Sequence, residues 1–255
     1  MTAQRFATNR FFLKDSIRDQ IDFSQTGQAL HKPAPPLQRE CAADFSRISL
    51  PDGREALNRL ATMPLAAAIA GRESVRSYSD ASLSLEELAA LLWAVQGVRR
   101  VAGPGTALRT VPSAGARHAF ETYLAVSRVD GLQAGLYRFL PFEEQLAQIY
   151  LSPDIAALAG EACRRQGCVG RAAVNFFWAA VPSRMEWRYD LAAHKAIALD
   201  AGHVGQNLYL AAEAMGLGVC AIAAYVQEKC DALLHVDGTE EFTLYIAAVG
   251  KKKEN

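Results

Sequence analysis

From residue 53 onward, apolar positions recur at two periods, about 3.6 and 2 residues, so helices and strands are interleaved along the chain. A helix is predicted over roughly 54–71, between Gly53 and Gly71, with Pro64 demanding a break or kink inside it. The next helix is strongly signalled. Ser84 can cap it, Glu87 can reach back to complete a capping box, and Leu83 and Leu88 sit where a hydrophobic staple would. Leu85, Leu88, Leu91, Leu92 and Val95 then mark one helical face. Strand-like runs follow over 121–129, 135–140 and 145–151, separated by turns that carry Gly or Pro. Ser152-Pro153 predicts a helix start with proline in its first turn, and 173–181 reads as a buried strand.

A helix over about 191–215 carries Ala201, Gly202, Gly205, Leu208, Leu210, Ala211, Ala212 and Ala214, leaving almost no polar face. Such a helix has to be covered on every side, in a deep core or at a subunit boundary, and it predicts a homodimer. Gly216-Leu217-Gly218 ends it, followed by a strand (219–225), a helix (226–235) and a strand (241–249). Without regular βαβ alternation the class is α+β, and a doubly wound nucleotide fold is disfavoured.

Residues 1–52 read differently and are expected to form an N-terminal arm and linker, ahead of one domain over 53–255. Lys32-Pro33-Ala34-Pro35-Pro36-Leu37 is stiff and extended. The segment 9–18 has apolar residues and charges but too little sequence to fold alone, so it should pack on the main body or on a partner subunit.

The 255 residues are 51% hydrophobic and 21% charged, enough for one full core. Lys+Arg and Asp+Glu number 27 each, so no global field attracts nucleic acid or an anionic membrane, and any anion site must be local. Residues 1–10 lack an apolar signal region, and the longest apolar runs are too short to span a bilayer, so a cytoplasmic location is expected. Five scattered cysteines argue against a disulfide framework, and the histidines are as dispersed, so no metal site is expected.

Three segments carry candidate chemistry. Arg72, Ser74 and Arg76 alternate around one turn ahead of the capped helix, where two guanidinium forks and a hydroxyl can surround a phosphate. The bland alternative is solvated surface. Arg109-Thr110-Val111-Pro112-Ser113-Ala114-Gly115 is a tight small-residue loop that lets backbone lie against a flat ring, or simply a turn. Arg188-Tyr189 pairs a permanent cation with a phenol. Ala221-Ile222-Ala223-Ala224 alone reads as core strand, and Lys251-Lys252-Lys253 as terminal solvation.

Together, 71–79 and 109–115, with Leu83–Ala94 and Leu199–Ala212, resemble the nitroreductase superfamily over roughly residues 55–250, and in particular its SagB-type branch of azoline dehydrogenases. The resemblance implies a nitroreductase-like fold, a mixed but mainly antiparallel sheet flanked by helices. It implies FMN, with phosphate and ribityl chain held by Arg72, Ser74 and Arg76, and the ring met by Pro112, Ser113, Ala114 and Gly115, often from the other subunit. Backbone of Ala221, Ile222, Ala223 and Ala224 would face the ring, and Lys251 would close the phosphate site. Tyr189 and Arg188 stand where the branch usually has Tyr and a basic Lys. Arginine cannot accept a proton, so Tyr189 would assist proton removal alone, with His194 and Lys195 the next places to look, while Arg188 could hold a substrate carboxylate. Arg117-His118-Ala119 and Ala192 also depart from the branch.

The resulting expectation is an FMN-dependent oxidoreductase dehydrogenating a C–N or C–C bond of a small molecule or peptide-derived substrate in a biosynthetic pathway. Alternatives are an NAD(P)H-dependent reductase of nitro compounds, quinones or enones, and a flavin-loaded non-catalytic partner in a biosynthetic complex.

Overall fold

The computed structural model describes residues 6–103 and 105–253; the start of the arm, 1–5, lies outside them. The helices are α1 (Ala7–Leu13), α2 (Gly53–Leu60), α3 (Leu65–Gly71), α4 (Leu85–Gln96), α5 (Ile155–Ala162), α6 (Gly167–Arg171), α7 (Ser183–Tyr189), α8 (Ala193–Ala214) and α9 (Gln227–Leu234). The strands are β1 (Arg47–Ser49), β2 (Val98–Gly103), β3 (Thr106–Arg109), β4 (Phe120–Val126), β5 (Gly135–Leu140), β6 (Gln145–Leu151), β7 (Val174–Ala180), β8 (Leu217–Ile222) and β9 (Phe242–Lys251). Seven strands form one sheet in the order β1-β6-β5-β4-β7-β9-β8, its paired strands antiparallel, and β2-β3 form a separate hairpin. A parallel bridge from Ser74 to Val219 extends the β8 edge and makes the sheet mixed. The α+β, mainly antiparallel architecture is the expected one.

Burial on both faces explains why the central strands read as continuous apolar runs. Along β7, Val174, Phe176, Trp178 and Ala180 pack with α4 and α8, while Phe177 and Ala179 pack with α5, α6 and α9. Trp178 is wholly buried between the rings of Phe176 and Tyr245, with centroids 6.0 and 5.7 Å away. The capping box forms: the Ser84 amide donates to Glu87 Oε2 at 2.8 Å, and the Glu87 amide donates to Ser84 Oγ at 3.1 Å. Pro64 splits the helix predicted over 54–71 into α2 and α3.

Three expectations change. Pro153 precedes α5, which begins at Ile155 behind Asp154. The strand predicted over 219–225 stops at Ile222, leaving Ala223 and Ala224 exposed beyond it. The β2-β3 hairpin and β1 lie where no strand is predicted. In the single chain, α8 leaves Ala198, Leu199, Gly202, His203 and Gln206 open to solvent, Leu199 being 58% exposed, which is the face that the expected subunit boundary would cover.

The arm lies on the body. Its backbone carbonyls accept from the buried Arg109 and Arg117, Arg109 Nη2 to Leu37 O at 2.8 Å and Arg117 Nη2 to Pro35 O at 2.8 Å, and from Trp187, Nε1 to Lys32 O at 3.1 Å. The Arg39 amide donates to Glu121 at 2.8 Å and its guanidinium pairs with Glu241. Beyond it, β1 joins the sheet edge beside β6. Among the described residues no helix is long and apolar enough to cross a membrane.

Two glycines of α8 separate packing from exposure. A Cβ on Gly205 would sit 2.6 Å from Tyr245 Cε1, whereas one on Gly202 would meet nothing within 4 Å. Gly205→Ala is therefore expected to destabilise by about 1–3 kcal/mol, and Gly202→Ala to be neutral or stabilising by up to about 1 kcal/mol, in urea melts. Equal effects at the two positions would contradict this packing.

Candidate functional site

At Gly71, α3 gives way to an extended run along the free edge of β8, not to the tight turn the sequence suggests. The Val75 amide donates to Val219 O at 2.9 Å, fixing the run's register. Tyr209 on α8 gathers this segment. The Arg72 guanidinium lies over its ring at 5.3 Å, its hydroxyl is 2.9 Å from Ser74 Oγ, and the same oxygen accepts from the Ala221 amide at 2.8 Å. Arg76 donates to Ser74 O at 3.3 Å. Among the described residues neither Arg72 nor Arg76 pairs with a carboxylate, so two cations and a hydroxyl stand uncompensated beside one another. That donor set suits a phosphate.

Lys251 pairs with Glu87, so the capping-box carboxylate also fastens the end of β9. Lys252 holds Glu213 at 2.8 Å, and that carboxylate lies 3.3 Å from where a Gly71 Cβ would be.

The second group forms around Pro112–Gly115, at the other end of α8. The Ala114 amide donates to Asp200 Oδ1 at 3.3 Å, and the His118 amide donates to Ser113 Oγ at 2.9 Å. Burial raises the Asp200 carboxyl's proton affinity, against the lowering effect of hydrogen bonds from Ser113 and Ala114. Gly115 has φ +59°, and a Cβ there would fall 2.6 Å from the Tyr189 hydroxyl and 2.9 Å from Arg188 Cδ. Glycine is required on both counts. The loop and Arg188-Tyr189 thus converge.

Tyr209 and Asp200 are nine residues apart on α8, about 13 Å along its axis. Within one chain the phosphate-type clamp and the loop are accordingly held apart.

The nitroreductase family model matches residues 69–251. This chain belongs to the nitroreductase family. A nitroreductase-named protein of Methanocaldococcus jannaschii is 30% identical over 211 residues, covering 83% of this chain and 99% of its own. Two similar crystal structures carry nitroreductase descriptions. The one from Ralstonia eutropha has TM-score 0.68 and 23% identity, covering 88% of this chain and 100% of its own. The one from Anabaena variabilis has TM-score 0.68 and 24% identity, covering 85% of this chain, which spans only 45% of that longer chain. A chain of the E. coli microcin synthetase McbBCD complex, solved with truncated pro-MccB17 bound, has TM-score 0.62 and 16% identity over 100% of this chain and 95% of its own. These three likenesses are of fold.

As a nitroreductase-family oxidoreductase, the chain belongs to a group whose members typically bind flavin. Of the residues singled out in its sequence, Arg72, Ser74 and Ala221 meet around Tyr209 and Arg76 joins them through the Ser74 carbonyl; Ser113, Ala114 and Gly115 meet Asp200, Arg188 and Tyr189. Arg109 is a strap residue, buried and bonded to Gln96 and Leu37. His194 Nε2 lies 2.9 Å from Glu186 Oε1. Tyr209 and Asp200 are the site residues that sequence reasoning misses. Their signal is a phenol and a carboxylate on a helix otherwise rich in small apolar side chains. Four of the five cysteines are buried, and no cluster among the described residues is placed to hold a metal ion.

Beneath the loop, burial and the nearby Arg109 charge push the His118 imidazole down to about 3. Its Nε2 bonds Ala107 O at 2.9 Å as a neutral ring. The unfolded chain takes up a proton near pH 6.5 that the folded protein refuses until about pH 3, so stability is lost as pH falls through that window. The expected slope from this group approaches about 1.4 kcal/mol per pH unit. Comparing urea melts of wild type and His118→Gln between pH 6.5 and 5 should show the variant losing less stability; parallel slopes would contradict the assignment.

Proposed function

We propose that this nitroreductase-family chain is an FMN-dependent oxidoreductase of the SagB-like group, dehydrogenating a small-molecule or peptide-derived substrate in a biosynthetic pathway. The observation that carries the reading is the run of Arg72, Ser74 and Arg76 along the β8 edge with no carboxylate partner among the described residues, Arg72 and Ser74 held by the Tyr209 phenol and Arg76 bonded to the Ser74 carbonyl. These residues would hold the phosphate. A single small clamp suits a mononucleotide, and FMN when bound supplies a hydride acceptor.

The chain's own groups then divide the work. Ala221 has its amide committed to Tyr209, so it would orient the β8 edge and not donate to the cofactor. Ala223 and Ala224, exposed and small, leave backbone accessible beside it. Tyr189 carries its hydroxyl against Gly115 and would be the group to hold or pass a proton. Arg188 stays protonated and cannot act as the base.

The 13 Å separation along α8 supports a site completed by a second copy, with loop 112–115 of one chain meeting the clamp of the other. Exposed Leu65, Ile69 and Leu199, and an apolar groove of about 320 Å³ between α3 and α8 lined by Met63, Ala68 and Leu210, are the surface such a homodimer would cover. The microcin synthetase complex, with its bound pro-MccB17, lends support to a peptide-derived substrate.

Purified protein is expected to be yellow, to release FMN and not FAD on denaturation, and to scatter light as a dimer. Arg72→Ala and Arg76→Ala should each weaken FMN binding by about 1.5–3 kcal/mol, roughly ten- to a hundredfold. Protein that stays colourless after incubation with FMN would sink the reading.

A further inference from the structure

The N-terminal arm does more than brace the body. Between the arm and α7 lies a cleft of about 320 Å³ lined by Arg18, Phe23, Gln28, Arg188 and Tyr189 among others. Its two walls are fixed to each other. The Gln28 amide donates to Trp187 O at 2.9 Å, Trp187 returns a bond to Lys32, and Gly27 packs directly on the Trp187 ring. The family match begins at residue 69, so the arm wall lies outside the matched segment while Arg188 and Tyr189 lie inside it.

Charge in the cleft is unbalanced. Arg188 stacks over the Tyr189 ring at 5.5 Å, and among the described residues no carboxylate pairs with it. Of the acids on the flanking segments, Asp15 holds Arg18 at 2.9 Å, Asp22 accepts from the Ser24 amide and hydroxyl, Glu186 holds His194 and Asp190 accepts from the Leu191 amide, and neither these nor Asp19 pairs with Arg188. Burial, and after it the neighbouring Arg184 and Arg188 charges, lowers the proton affinity of Arg117. Beside Arg188 the arm offers apolar surface, with Phe23 39% exposed and Ala29 next to Gln28.

We propose that this cleft is a substrate subsite for a carboxylate carried on an apolar body, with Arg188 gripping the anion and the arm selecting the body. A guanidinium presents two parallel donors matched to a carboxylate, which a lysine in its place would not. A carboxylate held there places the rest of the substrate against Tyr189 and Gly115, the group and loop of the proposed reaction, and the assignment rests on that reading for its catalytic meaning. The class is a monocarboxylate with an aromatic or aliphatic substituent, either a free acid or the C-terminus of a short peptide.

Calorimetric titration of the full chain, with and without FMN and at fixed ionic strength, tests the subsite with phenylacetate, its neutral amide, and acetyl-phenylalanine. Phenylacetate is expected to bind at least about tenfold tighter than phenylacetamide. Arg188→Gln should weaken phenylacetate roughly ten- to a hundredfold, both with and without FMN. Arg188→Lys should fall between, and Phe23→Ala, an exposed change, should weaken acid binding about tenfold or less. Acetyl-phenylalanine binding at least as tightly as phenylacetate identifies a peptide C-terminus as the source, and weaker binding identifies a free acid. Equal binding of acid and amide, or an Arg188→Gln variant that binds phenylacetate like wild type, would overturn the subsite. Acid binding that survives in protein unable to take FMN would instead refute the flavin reading and leave the subsite standing.

Discussion

Tyr209 is the point on which the candidate site hangs. One side chain supports the Arg72 cation on its face and, through a single oxygen, ties Ser74 to the Ala221 amide. Without that oxygen, the run after α3 would keep only its backbone register on β8, and two guanidiniums would hang on a free sheet edge. Because Tyr209 belongs to the long helix α8, the clamp inherits the rigidity of the core helix. That helix is itself fixed to α4, where Asn207 donates to the Ala94 carbonyl in the last turn. Nine residues earlier Asp200 performs the equivalent task for loop 112–115. The helix therefore acts as a spacer that sets where each half of the site stands.

The arm is coupled to the same frame by buried cations. Arg109, Arg117 and Arg184 lie beneath the loop with essentially no exposure, and one carboxylate, Glu121, pairs with Arg184. Burying guanidiniums is costly unless their donors are used. Here the arm's carbonyls at Pro35 and Leu37 use them, so the arm helps satisfy the core while the core fixes the arm. The strapped segment continues into the wall facing Arg188, so this layer would link stability to the proposed substrate subsite.

Features whose cause is local could be read from the chain. Ser84 and Glu87 are three residues apart and need only each other, and Pro64 breaks a helix wherever it stands. The α+β class follows from mixed periods, and the alternating basic-hydroxyl run from 72 to 76 marks the clamp. Features that depend on distant partners could not be read. The bonds from Tyr209 to Ser74 and from Asp200 to Ala114 span 135 and 86 residues. The small residues of α8 look alike whether they face a ring, as Gly205 does, or open space, as Gly202 does. The β2-β3 hairpin hides behind Arg99 and Arg100, charged residues on a solvent-exposed ribbon, with Gly103-Pro104-Gly105 as its sequence signal. Lys251 is drawn to Glu87 because that carboxylate, already spent in part on a cap, still has an oxygen to offer.

If α8 builds the clamp through the Tyr209 oxygen, removing that atom should loosen the clamp without unfolding the protein. FMN titration of Tyr209→Phe, followed by flavin fluorescence, tests this most directly, because the ring beneath Arg72 is retained. Loss of one hydroxyl shared by two partners predicts FMN binding weaker by about 1–3 kcal/mol, roughly five- to a hundredfold, with a melting temperature close to that of wild type. Unchanged FMN affinity in a folded Tyr209→Phe protein would contradict the account.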